Sequence, residues 1–197
     1  MYTVIGATRT RTMRVMWMLE ELRQPYRQID AGPASDIARE YNVLGKIPAL
    51  VVGDDVLTDS VAIMTYLADK HGKMIAPAGS VERAKQDAMT HWLIDEFDAI
   101  LWTHAKHSRV FPEAERVPGV IASVHGEFMR SAEKLSARLE GDFLFEDAIT
   151  VSDLLAVHCL NWAAFAGFPK PDGKLVAWAR SMRHRPAYQA AMNKQPG

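Results

Sequence analysis

Residues 45–72, GKIPALVVGDDVLTDSVAIMTYLADKHG, decide how the rest of the chain is read. Ile47-Pro48 leads into a short apolar run, Ala49 to Val52, and a turn at Gly53-Asp54-Asp55 leads to a second run at Val56-Leu57. Asp59-Ser60 then opens a stretch with Val61, Met64 and Leu67 on one helical face, joined by Ala62, Ile63 and Ala68. The pattern is a strand pair feeding a helix. Proline cannot donate to a sheet ladder, so Pro48 is expected at a strand's first residue or on an edge, where the backbone of Ile47 is left open to pair with something else. Ser60 is a favoured N-cap type, and a helix N-terminus, with unpaired N–H groups and a partial positive charge, can receive a carboxylate. An open backbone and a carboxylate-binding helix start suit a small extended peptide. An ordinary hairpin followed by a capped helix fits the same residues.

Working outward, Tyr2 to Ile5 predicts a short buried strand, and Gly6 to Thr12 (GATRTRT) a polar loop rich in hydroxyls and positive charge. The following RVMWMLEELRQP predicts a mostly buried helix stopped by Pro25, and Tyr26 to Asp30 a second strand. Strand, helix and strand in that order favour a parallel pair with a right-handed crossover. Residues 31–44 are weakly patterned, with a short helical piece around Asp36 to Tyr41. The first 75 residues therefore predict an α/β layer, and KMIAPAGS (Lys73 to Ser80), with Pro77 and Gly79, breaks the periodicity as a linker. Beyond Val81 the pattern is helical throughout: Glu82 to about His107, Val120 to Leu139, a helix opened by Thr150, and Lys174 to Met182 with a continuation after Pro186. Thr150-Val151-Ser152-Asp153 fits a capping box, and the LLAVHCLNWAAFAG that follows is apolar nearly all round, as a central core helix is. The expected organisation is α/β followed by all-α: residues 1–75, a linker at about 73–80, and an all-helical domain over 81–197.

Composition narrows the function classes. The 197 residues are 48% hydrophobic, and 23 Lys and Arg against 24 Asp and Glu leave a net charge of -1, so no global charge points to nucleic acid or a membrane surface. No apolar run approaches the roughly 20 residues of a membrane span. The start, MYTVIGATRTRTMRV, lacks an apolar leader core, which predicts a cytoplasmic protein. A single cysteine, Cys159, excludes an internal disulfide, a CxxC redox pair and a cysteine-based zinc site. His104 and His107 lack further ligands in pattern, so no metal is expected and solvated or helix-packing histidines account for them.

GKIPALVV, LTDSVAIMTYLADKHG and TVSDLLAV in this order, with RPAYQAAM near the end, resemble the cytosolic glutathione transferases over nearly the whole chain. The resemblance implies a thioredoxin-like N-terminal domain, an all-helical C-terminal domain, glutathione as co-substrate and a homodimer. Pro48 resembles the family's cis-proline. Ile47 would then offer its N–H and C=O to the cysteine moiety of glutathione, in the manner of strand addition. Asp59 and Ser60 match the pair that holds the γ-glutamyl end, Ser60 at its carboxylate and Asp59 near its ammonium. Lys46 would meet the glycine carboxylate, although a solvated lysine fits that position as well.

Family chemistry requires a thiolate from a thiol whose free pKa is about 8.5, and the family uses a Tyr, Ser or Cys in the loop before the first helix. This loop has none, and Tyr2 lies too early, in the first strand. The matching position is Arg9, flanked by Thr8 and Thr10. Thr10 is the expected hydroxyl donor, with Arg9 and Thr12 as alternatives, and Thr12 equally fits a helix cap. His91, Trp92, Trp102, His104 and Phe111 are candidates to line an electrophile pocket, while Cys159 reads as a packing residue. The implied activity is attack of activated glutathione on small hydrophobic electrophiles or peroxides. A glutathione-dependent disulfide reductase and a non-catalytic transferase-like binding module are the alternatives.

Overall fold

The computed structural model describes residues 1–145 and 148–195. The chain divides into two units: one combines Met1–Ala78 with the segment from Met182 onward, and the other is Gly79–Ser181. The first holds a four-stranded sheet in the order β2-β1-β3-β4. Its strands are β1 (Tyr2–Ile5), β2 (Tyr26–Ile29), β3 (Ala49–Val52) and β4 (Asp55–Thr58). β1 pairs parallel to β2, with Tyr2 opposite Tyr26. β3 runs antiparallel to both β1 and β4, with Ile5 and Thr58 flanking Ala49. This is the thioredoxin-like sheet that the resemblance implied. β3 lies inside the sheet, so of the two expected places Pro48 takes the strand's start and not a sheet edge. The proline sits one residue before a central strand, so the open backbone of Ile47 lies off the strand's end.

Three helices belong to this layer: α1 (Met13–Glu21), α2 (Asp36–Tyr41) and α3 (Ser60–His71). Val15 to Leu19 of α1 are buried all round, as the apolar run predicts. α2 starts at Ser35, whose side chain accepts from Ala38 N, and packs Ala38 against Ile5, Ala31 and Ala49, with Ile47 at the margin of that cluster.

The second unit contains α4 (Val81–Leu93), which continues through a π-type stretch (Ile94–Ala99) into α5 (Ile100–Ala105) and a last π-type turn (Lys106–Val110). After it come α6 (Gly119–Arg138) and α7 (Val151–Phe165). An aromatic series forms its core. Trp92 packs on Phe97 at 5.5 Å between centroids, Phe97 on Phe128 at 5.5 Å, and Phe128 on Phe168 at 5.0 Å. Phe168 in turn meets His104 and His125 at 4.8 and 4.4 Å.

α8 (Gly173–Arg183) crosses the division between units, and α9 (Pro186–Asn193) belongs to the first. The expected 81–197 domain thus differs from the observed division at its end, and residues 146–147 and 196–197 lie outside the described residues. The cause is local to α1. Arg185 donates to both carboxylate oxygens of Glu21, at 2.6 and 2.8 Å. Glu21 also accepts from Trp17 Nε1 at 2.9 Å, and Tyr188 meets the Trp17 ring edge-on at 5.0 Å.

Candidate functional site

The first unit brings three segments together around Gly6. At φ +138°, Gly6 holds a conformation closed to most L side chains. A Cβ added there would overlap the Thr12 hydroxyl and come within 3.1 Å of Ile47 Cβ. The loop before α1 and the segment before β3 therefore meet across a residue that must be glycine. Gln28 of β2, fully buried, pins the loop from behind. Its Nε2 donates to Gly6 O at 2.8 Å and to Thr8 Oγ1 at 3.0 Å.

Ile47–Pro48 is a cis peptide bond, the geometry the resemblance implied. Asn42 shapes the approach to it, donating Nδ2 to Lys46 O at 3.1 Å and accepting from Leu44 N at 3.1 Å. Lys46 itself is exposed. Among the described residues Ile47 makes no backbone hydrogen bond, so its N–H and C=O remain available off the end of β3.

The start of α3 differs from the expected serine cap. Asp59, at φ +68°, is the N-cap, and its Oδ1 accepts from Val61 N and Ala62 N at 2.9 and 3.0 Å. Ile63 N goes to the Asp59 carbonyl at 2.9 Å. Ser60 is the first helical residue and is buried, and its Oγ accepts from Arg14 Nη1 at 3.1 Å. Ser60's own N–H is the member of this first turn that the cap leaves over.

The loop residues separate clearly. Thr8 is engaged with the Gln28 amide. Thr10 donates to Ala7 O at 2.7 Å and lies 2.9 Å from Thr12 Oγ1, while Thr12 N donates back to Thr10 Oγ1 at 3.2 Å. Thr12 is fully buried. Arg9 is exposed and its side chain has no partner among the described residues. Its φ of -82° and ψ of 37° break the helical run ahead of α1.

The pocket candidates differ in exposure and in partners. His91 is exposed, and Trp102 is 39% exposed. Trp92 sits inside the aromatic series with the Arg138 guanidinium 4.5 Å from its ring centroid. His104 is buried and stacks on His125 at 5.4 Å, and burial, His125 and Arg109 hold its pKa below the ordinary histidine value. Phe111 stands edge-on to His107 at 5.2 Å. Cys159 is a fully buried free thiol in α7. Among the described residues no group of three or more His, Cys, Asp or Glu could hold a metal, and no helix is long and apolar enough to cross a membrane.

Two residues that position the site escaped the sequence reading, Arg14 and Gln28. Both are polar and buried, and each finds its partner far along the chain. The only available signal was a polar residue inside an otherwise apolar strand or helix face.

Sheet, cis-proline and helix start together define a thioredoxin-like domain. A family model for the glutathione S-transferase N-terminal domain matches residues 10–77. Glutathione S-transferase theta-2 of Mus musculus is 27% identical over 71% of this chain, which spans only 60% of that protein. Glutathione S-transferase 3 of Schizosaccharomyces pombe is 24% identical, over 94% of this chain and 84% of its own length. Among solved structures, the theta class glutathione S-transferase of Xanthomonas axonopodis pv. citri, with glutathione bound, superposes with a TM-score of 0.77 and 26% identity, covering 100% of this chain and 99% of that one. Residues 10–77 thus match the N-terminal domain of the glutathione S-transferases, and the chain is similar to members of that family over nearly its whole length.

Proposed function

We propose that the protein binds glutathione and activates its thiol for attack on small hydrophobic electrophiles or peroxides. The observation that carries this reading is the meeting of Ile47 with the loop before α1 across Gly6. A peptide paired to the backbone of Ile47 would have its cysteine next to the N-terminus of α1, where the helix dipole favours an anion. In this reading the γ-glutamyl carboxylate takes the N–H and hydroxyl of Ser60. The free carboxylate oxygen of Asp59 faces the ammonium, and Lys46 meets the glycine carboxylate.

Of the four loop candidates, Arg9 can lend a charge without giving up an existing bond. Thr10 can donate only by releasing Ala7 O. Arg9 and the start of α1 are therefore assigned the thiolate, with Thr10 as a second donor and Thr8 and Thr12 as supports of the loop. The engaged threonine hydroxyls are also the observation favouring a binding module without turnover.

Retention on immobilised glutathione tests binding, and turnover of aryl halides and peroxides tests catalysis. Ultraviolet absorbance of the bound thiolate tests the assignment: Arg9→Met is expected to raise the thiol pKa by about one, or 1.4 kcal/mol. An unchanged pKa in both Arg9→Met and Thr10→Val removes both residues from the role. The same reading carries a homodimer, checked by light scattering at micromolar concentration.

A further inference from the structure

Arg14 is a charged side chain only 1% exposed, and it spends Nη1 on the hydroxyl of Ser60, 46 residues along the chain. We propose that Arg14 is a positioning residue that fixes the polarity of the Ser60 hydroxyl, so that the site accepts an α-carboxylate and rejects an α-carboxamide. The inference rests on the glutathione reading above and assigns specificity within it.

A serine hydroxyl has one donor and two acceptor positions, so alone it serves a carboxylate oxygen or an amide N–H equally well. A guanidinium carries donors only and keeps its charge at any accessible pH. Facing Arg14, Ser60 Oγ is therefore an acceptor, and its one proton is turned elsewhere. Accepting from a cation also polarises the O–H and strengthens it as a donor.

The rest of the helix start fits this assignment. Asp59 has taken the N–H groups of Val61 and Ala62, which leaves an N–H and an O–H on Ser60, two donors on one residue. Two donors match the two oxygens of a carboxylate. A carboxamide would bring its own N–H against one of them, leaving a buried donor unpaired at a cost.

Calorimetric titration tests this with glutathione and with the analogue whose γ-glutamyl α-carboxylate is replaced by a carboxamide. Arg14→Met, Arg14→Lys, Ser60→Ala and the double variant Arg14→Met/Ser60→Ala are compared with the wild type, with folding followed by circular dichroism. The wild type is expected to prefer glutathione at least about tenfold, and Arg14→Met to remove most of that preference by weakening glutathione. Arg14→Lys, still donor-only, recovers much of it, and Arg14→Met has little further effect once Ser60 is alanine. The proposal is overturned if Arg14→Met weakens both ligands by the same factor, or weakens glutathione as strongly in the Ser60→Ala background. Should Arg14→Met not fold, Arg14→Gln replaces it with the same two outcomes, because its amide can donate or accept. A wild type that binds no glutathione defeats the functional reading itself, before any Arg14 variant is compared.

Discussion

The starts of α3 and α7 are built from similar residues and end up opposite in kind. At α7, Asp153 is fully buried, and its two carboxylate oxygens accept from Leu144 N, Thr150 N and Thr150 Oγ1 at 2.7 to 2.8 Å. At α3, exposed Asp59 satisfies two N–H groups with one oxygen and leaves that of Ser60 over. An acidic residue at a helix start thus closes the end when the chain itself supplies all the donors. It leaves a donor over when the acid reaches only part of the turn.

The sharpest break of this contrast is Asp153→Ala, which strands three buried donors and is expected to cost about 3–5 kcal/mol in urea unfolding, while the remaining folded protein keeps its glutathione affinity. Ser60→Ala comes next. It takes away the acceptor of the buried Arg14 Nη1 and should cost about 1–3 kcal/mol in urea unfolding, and it should weaken glutathione about tenfold by calorimetry, a loss of about 1.4 kcal/mol. Asp59→Ala removes a cap of the ordinary kind and should cost about 1 kcal/mol of stability. If it cost as much as Asp153→Ala, the two helix starts would not differ as described.

The smallest effect concerns His104 in the second unit. Its folded pKa is held below the ordinary value by burial, His125 and Arg109. The unfolded chain therefore binds the proton first, and stability is full above the ordinary pKa of about 6.5 and falls as pH drops toward the folded value. Unfolding midpoints between about pH 7 and pH 5 should decline less steeply in His104→Gln. An unchanged slope would assign the acid sensitivity elsewhere.

Much of the fold was legible because periodicity is local. The strand at Tyr2 to Ile5, the hairpin into α3 and the Thr150 capping box each depend on neighbours within a few positions. The cap was read at Ser60 rather than Asp59 because both are good cap types. The non-helical backbone of Asp59 and its bonds from Val61 N and Ala62 N decide between them. Arg14 and Gln28 were illegible for another reason: sequence pattern shows that a polar residue is present but not that its partner lies 46 or 22 residues away. Of the pocket candidates, Trp92 and His104 take part in the aromatic series. A single strand of text does not separate a lining aromatic from a packed one.

The return of α9 to α1 has a consequence for the order in which the protein is made. The sheet and its first helices leave the ribosome early, yet Trp17 and Glu21 wait for Tyr188 and Arg185, synthesised more than 160 residues later. Domains usually fold as units during synthesis, but here the first unit is finished last. Throughout translation of the helical unit, Trp17 and Glu21 are without their contacts to Tyr188 and Arg185.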